Sequence, residues 1–147
     1  MNAQREKTRD KPAGLAGQRL TSQRLLLLNV LREGRHLDAD ELYERARQKE
    51  PRLSMSTIYR NLRLFVRLGL IEKHHFDGRH SYYEAKAKAE HQHLICLGCG
   101  RIIDFDYALG QEVTESIRSR YGFHTTGAQV VLRGYCAGCI AGMGKTP

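Results

Sequence analysis

Residues 54–85 decide the fold, and they read SMSTIYRNLRLFVRLGLIEKHHFDGRHSYYEA. The first half of this stretch predicts a helix that ends at Gly69, with an apolar face opposite a basic and polar face. These two faces comprise Ile58, Leu62 and Phe65 on one side, and Ser56, Arg60, Arg63 and Arg67 on the other, with Tyr59 at the edge. Such a helix suits the major groove of DNA, whereas a solvated surface face is the alternative interpretation.

Two strand-like runs follow this helix, Leu70–Phe76 and Arg79–Glu84. The Asp77-Gly78 pair that joins them is a strong hairpin signal, because both residue types tolerate the positive φ of a tight turn. A hairpin placed after a helix predicts the wing of a winged helix. The wing carries basic side chains that we expect beside DNA phosphates rather than on a metal: His74, His75, Arg79 and His80.

Two further helices are predicted upstream. One begins at Thr21, a suitable N-cap, and ends at Gly34. The other begins at Asp38, whose carboxylate and the glutamate three residues later are typical of a capping box. Three helices and a hairpin predict a winged helix-turn-helix domain over residues 14–84, preceded by a flexible basic arm over residues 1–13.

The positive charge is concentrated in one half of the chain. The 147 residues carry a formal net charge of +8. Residues 1–86 contain 18 Lys and Arg and 11 Asp and Glu, whereas residues 87–147 contain 6 Lys and Arg and 5 Asp and Glu. An electropositive N-terminal half is typical of a module that binds a polyanion such as DNA. On charge alone, a solubilising positive surface remains the alternative.

All four cysteines lie in the C-terminal half as two CxxC pairs, Cys96 with Cys99 and Cys136 with Cys139. In a reducing compartment such pairs hold a metal more often than they form disulfides. Two pairs complete a closed tetrahedral zinc site with no position open for chemistry. The sequence therefore predicts a structural zinc, and a redox dithiol that releases zinc on oxidation is the alternative.

The C-terminal half predicts a small α/β domain over residues 91–147, so that the fold class is α+β. Short strands flank the first CxxC pair, an amphipathic helix runs from Leu109 to Tyr121, and a further strand leads into the second pair. The polar segment 85–90 is interpreted as a hinge.

A second group of candidate metal ligands surrounds this segment. His91 and His93 are two residues apart on an extended stretch, so both side chains point to one side and can share an ion. Glu84, Asp104 and His36 are further candidates. Imidazole and carboxylate ligands suit Fe(II), Mn(II) or Zn(II) and disfavour Cu(I). Each residue alone is typical of an ordinary surface, whereas the cluster indicates a regulatory divalent metal.

Several function classes are excluded or disfavoured. No apolar run approaches the roughly 20 residues of a membrane helix, and the polar N-terminus shows no secretory signal, so we expect a cytoplasmic protein without a membrane partner. The sequence has no HExxH motif, and the predicted cysteine site is closed. We therefore expect no enzyme activity, zinc-dependent hydrolysis included, and no small-molecule substrate.

Four segments of the chain resemble the ferric uptake regulator family of bacterial metalloregulators. They are Arg19–Arg24, Ser54–Leu62, His91–Gly100, and Gly134–Cys136 with Cys139. The resemblance extends from about residue 15 to residue 139. It implies a transcriptional repressor that is a homodimer, with paired C-terminal domains and winged helices that bind an inverted-repeat operator in double-stranded DNA.

The resemblance also implies two metal sites. The structural zinc is assigned to the four cysteines. The regulatory ion, expected to be iron with manganese or zinc as alternatives, raises DNA affinity when it occupies the hinge. Its implied ligands, called here the regulatory set, are His36, Glu84, His91, His93 and Asp104.

By the same resemblance, Tyr59 and Arg60 correspond to a pair that contacts bases, and Arg19 corresponds to a basic residue that reaches toward the minor groove. The exposed face of the predicted recognition helix supplies further candidates. The full set of expected DNA-contacting residues is Arg19, Ser56, Thr57, Tyr59, Arg60 and Arg63.

The chain departs from the family pattern at an additional metal site of the dimerisation domain. Many members have ligands at positions where this chain has Glu90, Gln92, Gln111 and Ala128. We therefore expect that site to be absent or altered, with His124 as a residue that could substitute.

Asp104 leaves the subfamily open. Iron-uptake regulators usually have Glu at this position, and peroxide-sensing relatives have Asp. The alternatives are therefore a peroxide sensor in which bound iron oxidises a histidine, with His36 and His91 as candidates, and a zinc- or manganese-uptake regulator.

Overall fold

The computed structural model describes residue 17, residues 19–87 and residues 89–144. The predicted basic arm over residues 1–13 lies outside this part of the chain. The fold is α+β, as the sequence predicts, and it divides into two compact units. Among the described residues, the first unit takes in those up to His75 together with His80–Lys86, and the second comprises Phe76–Arg79 and those from Ala87 onward.

Three helices build the first unit, and each begins at a side-chain cap. Helix α1 spans Ser22–Gly34 after Thr21, α2 spans Ala39–Arg47 after Asp38, and α3 spans Met55–Arg67 after Ser54. The capping box is complete, since the amide of Glu41 donates to Asp38 Oδ1 at 2.8 Å and the amide of Asp38 donates to Glu41 Oε2 at 3.2 Å. The caps therefore set the three helix starts locally.

A two-stranded antiparallel hairpin completes the first unit. Strand β1 is Ile71–His74 and strand β2 is Tyr82–Ala85, with Glu72 opposite Glu84 in the register. Both strands are shorter than predicted. The first one ends before Phe76, which is buried in the second unit against the ring of His93. The confirmed order of three helices and a hairpin is that of a winged helix.

The core of the first unit is aliphatic and continuous. Helices α1, α2 and α3 and the hairpin all contribute, and the apolar face predicted for α3 is fully buried. The buried members are Leu27, Leu28, Val30, Leu31, Leu37, Ala39, Leu42, Ala46, Leu53, Ile58, Leu62, Leu64, Phe65, Ile71 and Tyr83. A core of this extent fixes the direction in which the opposite face of α3 points.

The second unit contains a three-stranded sheet and two helices. Its elements in chain order are β3 (Gln92–Cys96), β4 (Ile102–Phe105), α4 (Gln111–Tyr121), β5 (Val131–Gly134) and α5 (Ala137–Met143). The strand order is β4-β3-β5, with β3 antiparallel to β4 and parallel to β5. Helix α5 was not predicted from the sequence, because its seven residues include two glycines and show no helical apolar period.

Few side chains of the second unit are buried. Among its described residues, only Phe76, Gln92, His93 and Cys96 are, and neither α4 nor α5 contributes any. Large apolar side chains stay exposed instead: Leu97, Ile103, Tyr107, Val113, Tyr121, Phe123, Leu132, Tyr135, Ile140 and Met143. Such a surface is typical of a unit that depends on a metal and on an interface with another surface.

No helix within the described ranges has the length and apolar character needed to cross a membrane.

Candidate metal centres and nucleic-acid interface

The four cysteines converge at one end of the three-stranded sheet. Cys96 ends β3 and Cys99 lies in the turn that follows, while Cys136 caps α5 and Cys139 lies in its first turn. The parallel pairing of β3 with β5 sets Cys96 opposite Gly134. The second CxxC pair begins with Cys136, two residues after Gly134. The sheet register therefore brings the two pairs together.

The dimensions of the cysteine set fit zinc. All four sulfur atoms lie within 4.8 Å of one another, and Cys99 Sγ lies 3.9 Å from Cys136 Sγ. Zinc–sulfur bonds of about 2.3 Å in a tetrahedron place sulfurs about 3.8 Å apart, whereas a disulfide needs about 2.05 Å. The four thiols are thus spaced for a shared ion.

Backbone amides favour the thiolate form at one side of this set. The amide of Cys136 donates a hydrogen bond to Cys96 Sγ at 3.2 Å. This amide and the amide of Cys99 lower the pKa of Cys96 to about 6. The amide of Cys139 lowers the pKa of Cys136, and the nearby Cys136 thiol raises the pKa of Cys139 to about 12. Without a cation, the crowded set therefore resists complete ionisation, which a divalent ion favours.

Gly98 leaves room for the cysteine set. A Cβ atom added to Gly98 would lie 2.7 Å from Cys139 Sγ and 2.9 Å from Cys139 Cβ. We therefore expect Gly98→Ala to displace Cys139 and to weaken zinc binding by roughly 10- to 100-fold, the usual cost of disturbing the support of a ligand. Competition with a chromophoric chelator measures this affinity.

The matched control for this variant is Gly138→Ala, since a Cβ atom at Gly138 meets nothing within 4 Å. This control is expected to bind zinc as the wild type does. Equal zinc affinities of the Gly98→Ala and Gly138→Ala variants would contradict the close packing of Gly98 against Cys139.

In the first unit, a backbone bridge brings two members of the regulatory set together. Leu37 and Tyr83 form an isolated antiparallel bridge, with reciprocal hydrogen bonds of 3.0 and 2.8 Å. His36 precedes Leu37 and Glu84 follows Tyr83, so the bridge places His36 Nδ1 3.3 Å from Glu84 Oε2. Both side chains are almost fully buried, which indicates a defined geometry for this pair.

His74 also contacts Glu84, a contact that was not predicted from the sequence. Its Nε2 lies 2.7 Å from Glu84 Oε1, and only 9% of its side chain is exposed. The expectation that His74 lies beside DNA phosphates is therefore wrong, since its imidazole is turned to a buried carboxylate. No local sequence signal marks this contact, because it depends on the hairpin register, which sets Glu72 opposite Glu84 and His74 on the same face.

In the second unit, the other three members of the regulatory set lie together. The register of β3 and β4 pairs His93 with Asp104, and His93 Nε2 lies 3.8 Å from Asp104 Oδ1. The rings of His91 and His93 have centroids 4.9 Å apart, as their spacing of two on an extended segment predicts. Two imidazoles and one carboxylate form a donor group that suits a divalent transition metal.

Gln92 lies between these histidines and has a structural role. Its side chain is buried, its Oε1 accepts a hydrogen bond from the amide of Val130 at 2.5 Å, and its Nε2 donates to the carbonyl of Tyr107 at 3.3 Å. Gln92 therefore ties β3 to its neighbours instead of binding a metal. His124 is exposed and belongs to no group of three or more potential metal ligands in the part of the chain that the structure describes.

The exposed face of α3 is the candidate nucleic-acid interface. Ser56, Tyr59, Arg60 and Arg63 are all exposed, with Tyr59 at 45%, while the opposite face of the helix is buried. Thr57 differs from them, because it is half-buried and its hydroxyl lies 3.0 Å from Ser54 Oγ. Thr57 thus supports the start of the helix.

A hydrogen-bond chain links α1, α3 and the segment before α1. The guanidinium of Arg24 donates from Nη1 to the carbonyl of Arg19 at 2.6 Å and from Nε to Asn61 Oδ1 at 3.4 Å. Asn61 in turn donates from Nδ2 to the carbonyl of Thr57 at 2.8 Å. Arg19 itself is exposed. Arg24 and Asn61 therefore position the predicted DNA-contacting residues, a role that their places within apolar helices did not reveal.

Comparisons with known proteins agree with this architecture. The model of the ferric uptake regulator family matches residues 15–133. The ferric uptake regulation protein of Klebsiella pneumoniae is 36% identical over 124 residues, which cover 83% of this chain and 80% of that protein.

Solved structures give the same result. The ferric uptake regulator of Vibrio cholerae is 33% identical, with a TM-score of 0.71 over 82% of this chain and 94% of that chain. The peroxide stress regulator of Campylobacter jejuni is 27% identical, with a TM-score of 0.65 over 78% of this chain and 86% of that chain.

The fold and its donor groups define a winged-helix metalloregulator, with a helix-and-hairpin unit followed by a small α/β unit that contains a four-cysteine site. Within that class, the chain belongs to the ferric uptake regulator family, because the family model covers most of its length.

Proposed function

We propose that this protein is a metal-responsive transcriptional repressor that binds an inverted-repeat operator as a homodimer. The observation that carries the proposal is that each unit has its own group of imidazole and carboxylate donors. His36 and Glu84 lie together in the first unit, and His91, His93 and Asp104 lie together in the second. Each group by itself leaves at least half of the positions of an octahedral ion unfilled.

The regulatory ion in this proposal takes ligands from both groups. Three imidazoles and two carboxylates suit Fe(II), and they also accept Mn(II) or Zn(II). An ion shared by the two units favours the arrangement in which both recognition helices match their half-sites. A coupling free energy of about 1–3 kcal/mol, usual for allostery, corresponds to a roughly 5- to 150-fold change in DNA affinity.

The second metal in the proposal is a structural zinc on Cys96, Cys99, Cys136 and Cys139. The support is the spacing of the four sulfurs and the scarcity of other buried side chains in the described part of the second unit. Zinc thiolate bonds stabilise a small unit of this kind, because the free energy of metal binding contributes directly to folding.

The homodimer in the proposal is formed by the second unit. The support is its group of exposed apolar side chains on the sheet and on both helices, including Leu132, Val113 and Ile140. A twofold dimer presents two recognition helices related by symmetry, and an inverted-repeat operator has the matching symmetry.

Because Asp104 leaves the subfamily open, there is a second candidate function within the same family. Since peroxide-sensing relatives resemble this chain at that position, the alternative is a regulator whose bound iron oxidises a histidine of the regulatory set. Mass spectrometry of the iron-loaded protein after peroxide treatment tests it. A mass increase of one oxygen at His36 or His91 supports peroxide sensing, and unmodified histidines support metal-uptake regulation.

Tyr59 and Arg60 provide the test of the DNA interface. Because both side chains are exposed on α3, we expect Tyr59→Ala and Arg60→Ala to leave the fold intact and to weaken operator binding by about 1–3 kcal/mol each. Binding to a scrambled duplex of equal length is expected to change less, because non-specific affinity depends mainly on phosphate contacts. The operator duplex is selected from a random pool with Mn(II)-loaded protein.

Arg45→Ala is the matched control, since Arg45 is an exposed arginine of α2 and its loss removes the same charge. Fluorescence anisotropy at one fixed salt concentration compares the variants. A loss of specific affinity that is as large for Arg45→Ala as for Arg60→Ala would contradict the assignment of α3 as the recognition helix.

A further inference from the structure

Three potential metal ligands lie on one face of the hairpin in the first unit: Glu72, His74 and Glu84, called here the wing triad. Glu72 and His74 are two residues apart on β1, and Glu84 is directly opposite Glu72 on β2. His74 Nε2 lies 2.7 Å from Glu84 Oε1 and 3.8 Å from Glu72 Oε2. One donor atom from each residue fits within a group spanning 4.8 Å.

The wing triad places two carboxyl groups directly opposite each other in the hairpin register. Two carboxylates directly opposite each other on neighbouring strands destabilise a hairpin when both are ionised. The cost is larger here because Glu84 is buried. A divalent cation held by both carboxylates removes this repulsion.

Burial makes the wing triad accessible from one side only. The side chains of Glu84 and His74 are 7% and 9% exposed, whereas the side chain of Glu72 is 47% exposed. Two of the ligands are therefore held firmly within the first unit, and the third lies where an ion can enter with part of its hydration shell. This combination is typical of a site that binds an ion from solvent.

We propose that the wing triad is a divalent cation site of the first unit, separate from the regulatory ion. One imidazole nitrogen and two carboxylate oxygens suit Mn(II), Fe(II), Co(II) or Zn(II), with water in the remaining positions. The protein ligands of this site all come from one hairpin, so it needs no residue of the second unit.

Glu84 connects this site to the regulatory ion. Its Oε1 faces His74 and its Oε2 faces His36, so the two oxygens of one carboxylate are directed to different histidines. Carboxylates bridge paired ions in this way. This link rests on the proposed regulatory function, and it makes the affinity at each position depend on the occupancy of the other.

The experiment uses the full chain with His91→Ala and His93→Ala, which removes two regulatory ligands of the second unit and leaves the wing triad and the four cysteines intact. Equilibrium dialysis against Mn(II) counts the bound ions. We expect one Mn(II) per chain in this background. Adding His74→Ala or Glu72→Gln is expected to raise its dissociation constant at least roughly tenfold, since even the partners of ligands change metal affinity by roughly 10- to 100-fold.

The matched control is His75→Ala in the same background, because His75 is the adjacent and exposed histidine of the wing. It is expected to keep the Mn(II) affinity. Glu72→Gln is similar in shape and lies at a half-exposed side chain, so it provides a readout even where His74→Ala disturbs the hairpin.

Two results overturn the proposal: a background variant that binds no Mn(II), or Mn(II) binding that both Glu72→Gln and His74→Ala leave unchanged. Either one leaves the contact of His74 with Glu84 as a structural hydrogen bond only. Failure of the proposed regulatory function is seen separately, as the absence of a Mn(II) effect on DNA binding by the wild-type chain.

Discussion

Replacing Cys136 with Ser is expected to release zinc and to unfold the second unit. The second unit has few buried side chains among its described residues, and its two helices contribute none of them. Apparent zinc-binding free energies of structural sites are about 10–16 kcal/mol and contribute directly to folding, so the loss of one thiolate weakens both zinc binding and the fold of this unit. The first unit has its own aliphatic core and is expected to remain folded.

Three measurements check this prediction: the zinc content, the sedimentation coefficient and the amide hydrogen exchange of each unit. The expected result is less than one zinc per chain, a monomer, and fast exchange confined to the second unit. Ala137→Ser is the matched control, because it adds a hydroxyl at the neighbouring exposed position and keeps all four thiols. A zinc-free Cys136→Ser dimer with wild-type exchange would show that the metal does not stabilise this unit.

Replacing His91 and His93 with Ala is expected to give a zinc-containing dimer whose DNA affinity no longer rises with added metal. The wild-type rise is expected to be roughly 5- to 150-fold, and the double variant should show none. The physical reason is that the second unit then retains only Asp104 from the regulatory set. Fluorescence anisotropy with the selected operator, titrated at zero and saturating Mn(II), measures the effect.

The packing of His93 requires a second variant. Its side chain is almost fully buried, and its ring lies 4.8 Å from that of Phe76, so His93→Ala opens a cavity that lowers stability. His91→Ala alone avoids this cavity, because His91 is only half-buried. His124→Ala is the control for loss of an imidazole from the same unit. An undiminished Mn(II) response in both His91→Ala and the double variant would remove these histidines from the regulatory set.

Local signals in the sequence determined much of the fold. The caps Thr21, Asp38 and Ser54 are side chains whose hydrogen bonds close within three residues, so the helix starts could be predicted without tertiary information. The Asp77-Gly78 turn likewise predicted the hairpin, and Gly78 adopts the positive φ that such a turn requires. The convergence of the cysteines followed from the chemistry of paired CxxC motifs.

Contacts that depend on register or on tertiary packing could not be predicted. The role of His74 depends on which residue of β2 lies opposite Glu72. A shift of the β2 register by one residue would place Glu84 on the other face of the hairpin, away from His74. Gln92 lies between two histidines of the regulatory set, and only the paths of the flanking segments bring the backbone groups that its side chain bonds to within reach. Helix α5 forms despite its glycines, and its first turn contains Cys139.

The positioning role of Arg24 was missed for a similar reason. Its guanidinium reaches Arg19 and Asn61, which lie 5 and 37 residues away along the chain. A long basic side chain at the start of an apolar helix is ordinarily solvated, so the sequence gives no sign of these partners.

If occupancy of the regulatory set controls DNA affinity, Mn(II) must tighten operator binding by the wild-type chain. Wild-type protein with its zinc retained is titrated onto the selected inverted-repeat duplex by fluorescence anisotropy, with and without saturating Mn(II) at constant ionic strength. We expect a dissociation constant lower by roughly 5- to 150-fold when Mn(II) is present. Equal dissociation constants with and without Mn(II) would contradict it.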